Sequence, residues 1–238
     1  FNDDWLFLPQ DVDSNMSDST FESVVLPHTN RIFPYHNFGN DEYQFISTYR
    51  KHFRLPEPLH GRRLFIDFEG AMIASEVFLN GRKLGEYDGG FTPFSFDLTD
   101  YLHLDGDNLL TVRLDSTERS DIPPYGNVVD YLTFGGIYRD VYLRYIEPCH
   151  IDNVFVRTTH VLGQHPKVQY DVKLVNLPGS QLTLQTRLID SSGAVLVEQE
   201  RSITSVPADS VLLDDIQLQD LPPIYLWTLN EPHLYQLN

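Results

Sequence analysis

The sequence predicts an all-β protein built from two sandwiches in tandem, and three observations lead there. Apolar and polar residues alternate with a period of two in run after run, and no segment shows a convincing helical period. Fourteen glycines and fifteen prolines fall mostly between these runs, where turns need a fixed or positive φ. A period of two sends alternate side chains to opposite faces of a strand, so each run has one face for a core and one for solvent.

In chain order, Leu64, Ile66 and Phe68 alternate with Asp67 and Glu69. Val77-Phe78-Leu79 and Arg82-Lys83-Leu84 flank Asn80-Gly81, the strongest short-range hairpin signal, because a type I′ turn wants φ > 0 at both central residues. Leu110, Val112 and Leu114 alternate with Thr111, Arg113 and Asp115. The apolar run Val141-Tyr142-Leu143 ends at Ile146-Glu147-Pro148, after which aromatic density falls, and the domain border is expected there. Residues 1–147 form a long aromatic-rich domain with an irregular opening stretch. Residues 148–238 match the roughly 100 residues of an immunoglobulin-like sandwich, with alternation at Val168, Tyr170, Val172 and Leu174 and again at Leu182, Leu184 and Leu188.

The 238 residues suffice for two domains at roughly 100–200 each. Thirty-four acidic against seventeen basic side chains leave a net charge of -17, which repels phosphate backbones and anionic lipid. No nucleic-acid or membrane partner is therefore expected. No window approaches the ~20 consecutive apolar residues of a membrane span, and Phe1-Asn2-Asp3-Asp4-Trp5 lacks the basic and apolar parts of a signal peptide. Without an initiating Met the chain reads as a fragment or processed product, of the bacterial cytoplasm, with secretion or a periplasmic location left open. The one cysteine, Cys149, reads as a small hydrophobe at a strand end.

The sequence contains no nucleophile elbow, zinc-helix motif, phosphate loop or cysteine cluster, so no catalytic residue, metal ligand or cofactor site is expected within this chain. His28, His36 and His52 read as loop or core histidines, since their spacing matches no common ligand motif. Asn230-Glu231-Pro232 invites comparison with a glycosidase acid/base, but it follows Trp227 in a sandwich segment and lacks a barrel pocket with a second carboxylate. It reads as a turn. Arg139 and Asp140 read as a structural pair at a strand start.

Six motifs in order carry a resemblance. They are Phe1-Asn2-Asp3-Asp4-Trp5-Leu6-Phe7, Leu26-Pro27-His28, Tyr49-Arg50-Lys51-His52-Phe53, Val77 to Gly85 around Asn80-Gly81, Gly89-Gly90-Phe91-Thr92-Pro93-Phe94-Ser95-Phe96-Asp97-Leu98-Thr99, and Gly135-Gly136-Ile137-Tyr138-Arg139-Asp140-Val141. Together they resemble the amino-terminal half of a family 2 glycoside hydrolase. The resemblance implies a jelly-roll sugar-binding domain over 1–147 and an immunoglobulin-like domain over 148–238, matched late by Trp227, Pro232, Leu234 and Tyr235 and truncated at its C-terminal end. Its last strand would then be frayed or paired with another chain.

The same resemblance implies a retaining exo-β-glycosidase as parent, like a β-galactosidase, with β-glucuronidase or β-mannosidase as alternatives. The catalytic pair of glutamates would lie on a barrel absent from this chain, which alone is expected to be inactive. Partners implied are a β-linked glycoside and the catalytic barrel, with a homo-oligomer left open. The parent is compatible with sodium or magnesium at its active site. Asp130 matches the acidic residue, a few positions before Gly-Ile-aromatic-Arg, that touches sugar hydroxyls in the family. Asn37 and Asn40, in the irregular stretch 30–42, are candidates for a second contact. A stand-alone carbohydrate-binding module and a β-sandwich interaction protein are the readings from other classes.

Overall fold

The computed structural model describes residues 1–12, 16–33, 39, 42–126, 131–163, 165–204 and 207–238. The chain divides into two compact units, Phe1–Ile146 and Glu147–Asn238. Both are antiparallel β-sandwiches, as the alternation predicts, and short 3-10 turns stand at Asp18–Thr20 and Thr99–Tyr101.

The first unit has strands β1 (Trp5–Leu8), β2 (Glu22–Val24), β3 (Ile46–Phe53), β4 (Arg63–Phe68), β5 (Ala74–Leu79), β6 (Arg82–Asp88), β7 (Phe94–Asp97), β8 (Asn108–Asp115) and β9 (Val141–Ile146). They form a six-stranded sheet in the order β2-β1-β3-β8-β5-β6 and a three-stranded sheet in the order β7-β4-β9. Alternate residues of facing strands enter one core: Leu64, Ile66 and Phe68 from β4 meet Val77, Leu79, Leu110, Val112 and Leu114 from β5 and β8, all at 0% exposure. Enclosing each such side chain stabilises the unit by about 1.5–3 kcal/mol. The β5–β6 hairpin turns through Asn80 at φ 52 and Gly81 at φ 80, the two positive values that Asn-Gly supplies at low cost.

The polar face of β3 departs from the expected pattern. Arg50 points away from the core yet is 2% exposed, because Met16, Asp18 and Phe21 lie over it. Its Nη1 donates to Met16 O at 2.6 Å and to Asp18 Oδ1 at 2.7 Å, and its guanidinium sits 4.6 Å from the Phe21 ring centre. His52, two residues on, meets Asp18 Oδ2 at 2.7 Å. A buried charge is thus paired and pins the opening stretch to the sheet.

The second unit has strands β10 (His150–Thr159), β11 (Lys167–Pro178), β12 (Gln181–Ile189), β13 (Val195–Thr204), β14 (Pro207–Gln217) and β15 (Gln236–Leu237). Its sheets run β10-β11-β14 and β13-β12-β15. Val168, Tyr170, Val172 and Leu174 of β11 pack with Leu184 and Leu188 of β12, and the Tyr170 hydroxyl meets Thr186 Oγ1 at 2.8 Å inside the core. The last strand, expected to be frayed or paired in trans, is held on one side by β12, with Arg187 N–H donating to Asn238 O at 2.8 Å and Asn238 N–H to Arg187 O at 2.9 Å, and it stands at the edge of its sheet. Asn230-Glu231-Pro232 is the turn expected, with the Glu231 N–H donating to Thr228 Oγ1 at 2.9 Å and its carboxylate exposed.

Candidate functional site

One end of the first sandwich is organised around Gly135-Gly136. Residues 28–30 run antiparallel to 135–137, with His28 N–H donating to Ile137 O and Asn30 N–H to Gly135 O, both at 2.8 Å. On the other side Met72 N–H donates to Gly136 O at 3.0 Å. Neither glycine can carry a side chain here. A Cβ on Gly135 would lie 2.3 Å from Asn30 Nδ2 and 2.4 Å from Ser116 Oγ, and one on Gly136, at φ +120, would lie 2.3 Å from His28 O.

From this anchor the chain builds the wall of a cleft of about 410 Å³ lined by Met72, Phe91, Tyr131, Thr133, Phe134 and Tyr138, among others. The volume falls within the roughly 300–1,000 Å³ of small-molecule sites. Three rings lining the cleft are open to solvent: Phe91 at 47%, Tyr131 at 54% and Phe134 at 43%. The Tyr138 hydroxyl donates to Gly90 O, which ties the Phe91 loop to the wall, and burial pushes its pKa up, so it stays protonated. The Phe33 ring lies 5.2 Å from Tyr43 and 5.7 Å from Phe134.

The three residues expected to meet substrate, Asp130, Asn37 and Asn40, lie outside the described residues, as does His36. The described chain on either side of Asp130 is held. Gly126 N–H donates to Glu118 Oε1 at 2.6 Å before it, and Gly135 is locked as above after it. His28 acts within the fold: burial lowers its pKa against the opposing pull of Glu22, leaving a neutral ring whose Nδ1 is 2.9 Å from the Tyr49 hydroxyl. Burial in turn raises the Tyr49 phenol far above its ordinary value.

Asp140 does not pair with Arg139. It accepts from Asn2 Nδ2 at 2.7 Å, while Arg139 stacks 5.6 Å from the Tyr138 ring centre. Each of the two neighbours thus has a partner of its own, Asp140 from the start of the chain and Arg139 from the Tyr138 ring. Asn30, Ser116 and Glu118 were not picked out from the sequence. The one signal that bears on them is the Gly135-Gly136 doublet, which announces a close approach without naming the partner.

Among the described residues no three His, Cys, Asp or Glu side chains converge as a metal site. No helix among the described residues is long and apolar enough to cross a membrane.

The β-galactosidase of Thermoanaerobacter pseudethanolicus is 35% identical over 243 residues, which take in 100% of this chain and 32% of the relative. A β-glucuronidase of Formosa agariphila is 29% identical over 266 residues, with 100% of this chain and 27% of the relative covered. In three dimensions the crystal structure of a Bacteroides uniformis β-glucuronidase superposes with a TM-score of 0.84 at 27% identity, covering 99% of this chain and 29% of that one. The chain therefore spans under a third of the length of each of these relatives. Residues 11–148 match the model described as "Glycosyl hydrolases family 2, sugar binding domain", more than half of the chain and all of the Gly135-Gly136 wall, and on that match the chain belongs to glycosyl hydrolase family 2.

Proposed function

We propose that this chain is the non-catalytic, sugar-facing part of a retaining β-glycosidase of the β-galactosidase kind, and that the wall formed by residues 131–138 borders its substrate pocket. The observation that carries the reading is the 35% identity to a β-galactosidase along the whole chain. It is supported by an aromatic-lined cleft whose wall, anchored through Gly135 and Gly136, includes Tyr131, the residue that follows Asp130 in the sequence.

The chemistry follows from residue types. A carboxylate accepts from two vicinal hydroxyls at once, and such charge-assisted bonds are about twice as strong as neutral ones. Asp130 is the proposed acceptor, with Asn37 and Asn40 as proposed second contacts. Exposed rings such as Tyr131 and Phe134 suit the apolar face of a pyranose. Hydrolysis itself needs a nucleophilic and an acid/base carboxylate about 5–5.5 Å apart. Those are expected from a catalytic barrel outside these 238 residues, and that barrel is the chain's proposed partner.

A second reading, β-glucuronidase, is favoured by the similarity to the Formosa and Bacteroides uniformis enzymes. Assays with nitrophenyl β-galactoside and β-glucuronide separate the two. The protein carrying this chain with its catalytic region is expected to cleave the galactoside with the higher kcat/KM, and the 238-residue chain alone to cleave neither. Turnover that stays with the isolated chain through repurification would sink the proposal, and a preference for the glucuronide would replace it with the second reading.

A further inference from the structure

Asn30 joins stretches of chain that are far apart in sequence. Its backbone N–H donates to Gly135 O at 2.8 Å, and its side-chain Nδ2 donates to Tyr43 O at 2.9 Å in a fully buried hydrogen bond. The residue is 4% exposed. Its amide occupies the space that a side chain on Gly135 would need, 2.3 Å from the position of that Cβ. Ser116, on the other flank of Gly135, donates to Met72 O at 2.8 Å, and its N–H meets Phe45 O at 3.2 Å. The 43–45 stretch, the 28–30 stretch and the cleft wall therefore converge on one amide.

Packing alone does not account for an asparagine here. Its Oδ1 is buried and accepts no hydrogen bond. An unpaired buried acceptor is destabilising, whereas an aliphatic side chain of the same shape would fill the volume without that penalty. What leucine could not supply is the donor to Tyr43 O. That bond links the stretch before β3 to the base of the wall, and the Phe33 ring, between Tyr43 and Phe134, extends the link to the wall's exposed face.

We propose that Asn30 is a positioning residue, whose amide holds the Tyr131–Phe134 wall at a set distance from the Tyr43 stretch and so places the wall for substrate. The inference rests on the reading of that wall as sugar-facing. It concerns a residue that touches no substrate and acts through the backbone it fixes.

The test has two arms. In the first, amide hydrogen exchange is followed on the 238-residue chain. Asn30→Leu is expected to speed exchange at residues 131–136 by roughly 3- to 10-fold, the factor that a hydrogen bond of ordinary net strength is worth, while the amides of Leu110–Leu114 keep their rates. Asn30→Gln, which keeps a donor, restores most of the protection. Unchanged exchange at 131–136 overturns the proposal, and so does equal speeding across the β8 amides, which would mark a residue that only stabilises the fold. If Asn30→Leu does not fold, Asn30→Ser, with a hydroxyl too short to reach Tyr43 O, takes its place.

In the second arm, kcat/KM is measured on the protein that includes the catalytic region. Asn30→Leu is expected to lower it by about the same factor, again with rescue by Asn30→Gln. A fall in Asp130→Asn without any fall in Asn30→Leu overturns the positioning role and leaves the functional reading standing. No fall in Asp130→Asn removes the functional reading, and the exchange data then decide whether Asn30 holds the wall.

Discussion

Adding one methyl group at Gly135 tests how tightly the wall is anchored. In Gly135→Ala the new Cβ would lie 2.3 Å from Asn30 Nδ2 and 2.4 and 2.6 Å from Ser116 Oγ and Cβ, all well inside van der Waals contact. Neither neighbour can swing away freely, since Asn30 is bonded to Tyr43 O and Ser116 to Met72 O. Relief by backbone movement costs the ~1–3 kcal/mol of overpacking. Losing one of the two buried hydrogen bonds adds about 1 kcal/mol, so the first unit should lose about 2–4 kcal/mol. Gly106→Ala is the control: its nearest neighbour would be His103 Cβ at 3.5 Å, an ordinary contact, and a change within about 0.5 kcal/mol is expected.

The two tryptophans make the assay specific to one unit. Trp5 is fully buried in the first unit and Trp227 lies exposed in the second, so in a Trp227→Phe background fluorescence follows Trp5 alone through urea unfolding. With m of about 2 kcal/mol/M, the middle of the usual urea range, the midpoint of Gly135→Ala should fall by roughly 1–2 M. A midpoint indistinguishable from that of Gly106→Ala would mean that Asn30 and Ser116 do not hold the wall, and the reasoning from this geometry would fail.

Asp18→Asn removes the counter-charge of the buried Arg50 guanidinium, and since Asp18 is itself 39% exposed, the loss at neutral pH should be about 1.5–3 kcal/mol rather than the full cost of a buried pair. Burial pushes the Asp18 carboxyl up, but bonds to Arg50 and His52 outweigh it and hold the pKa below the ordinary value of 3.8. Its contribution is therefore present above that value and fades as pH falls through the lower folded one, so wild type and variant should converge in urea titrations in acid; a gap that persists there contradicts the pairing. By hydrogen exchange, the second unit should be the less protected, because Ile151, Val154 and Val156 of β10 are 50, 42 and 43% exposed although they share a face with buried Leu174, Val172 and Tyr170 of β11. Equal protection in both units would show that this open edge costs nothing.

What could be read from the residues alone was whatever a period of two or a local turn encodes. The cores around Leu64, Ile66 and Phe68 and around Val168, Tyr170 and Val172 follow from alternation, and the β5–β6 turn follows from Asn80-Gly81. What escaped is non-local. Arg50 sits on a strand face that alternation assigns to solvent, and it is covered there by Met16, Asp18 and Phe21, more than twenty-five positions earlier in the chain. Asn30 gains its role from Tyr43, Ser116 and Gly135, the last more than a hundred positions away, and no spacing rule links them. Asp140 found Asn2 rather than Arg139 for the same reason. The candidate contacts Asp130, Asn37 and Asn40 came from a family resemblance, and the structure describes the chain that flanks them rather than the residues themselves.

The most direct test of the proposed role is the kcat/KM of Asp130→Asn in the protein that includes the catalytic region, with nitrophenyl β-galactoside as substrate. The change keeps the side chain's shape and removes its charge. Loss of a charged hydrogen bond worth about 1.5–3 kcal/mol predicts a fall of roughly 10- to 150-fold, with the urea midpoint of the first unit unchanged. An unaltered kcat/KM would contradict the account, because the segment between Gly126 and Tyr131 would then reach no substrate.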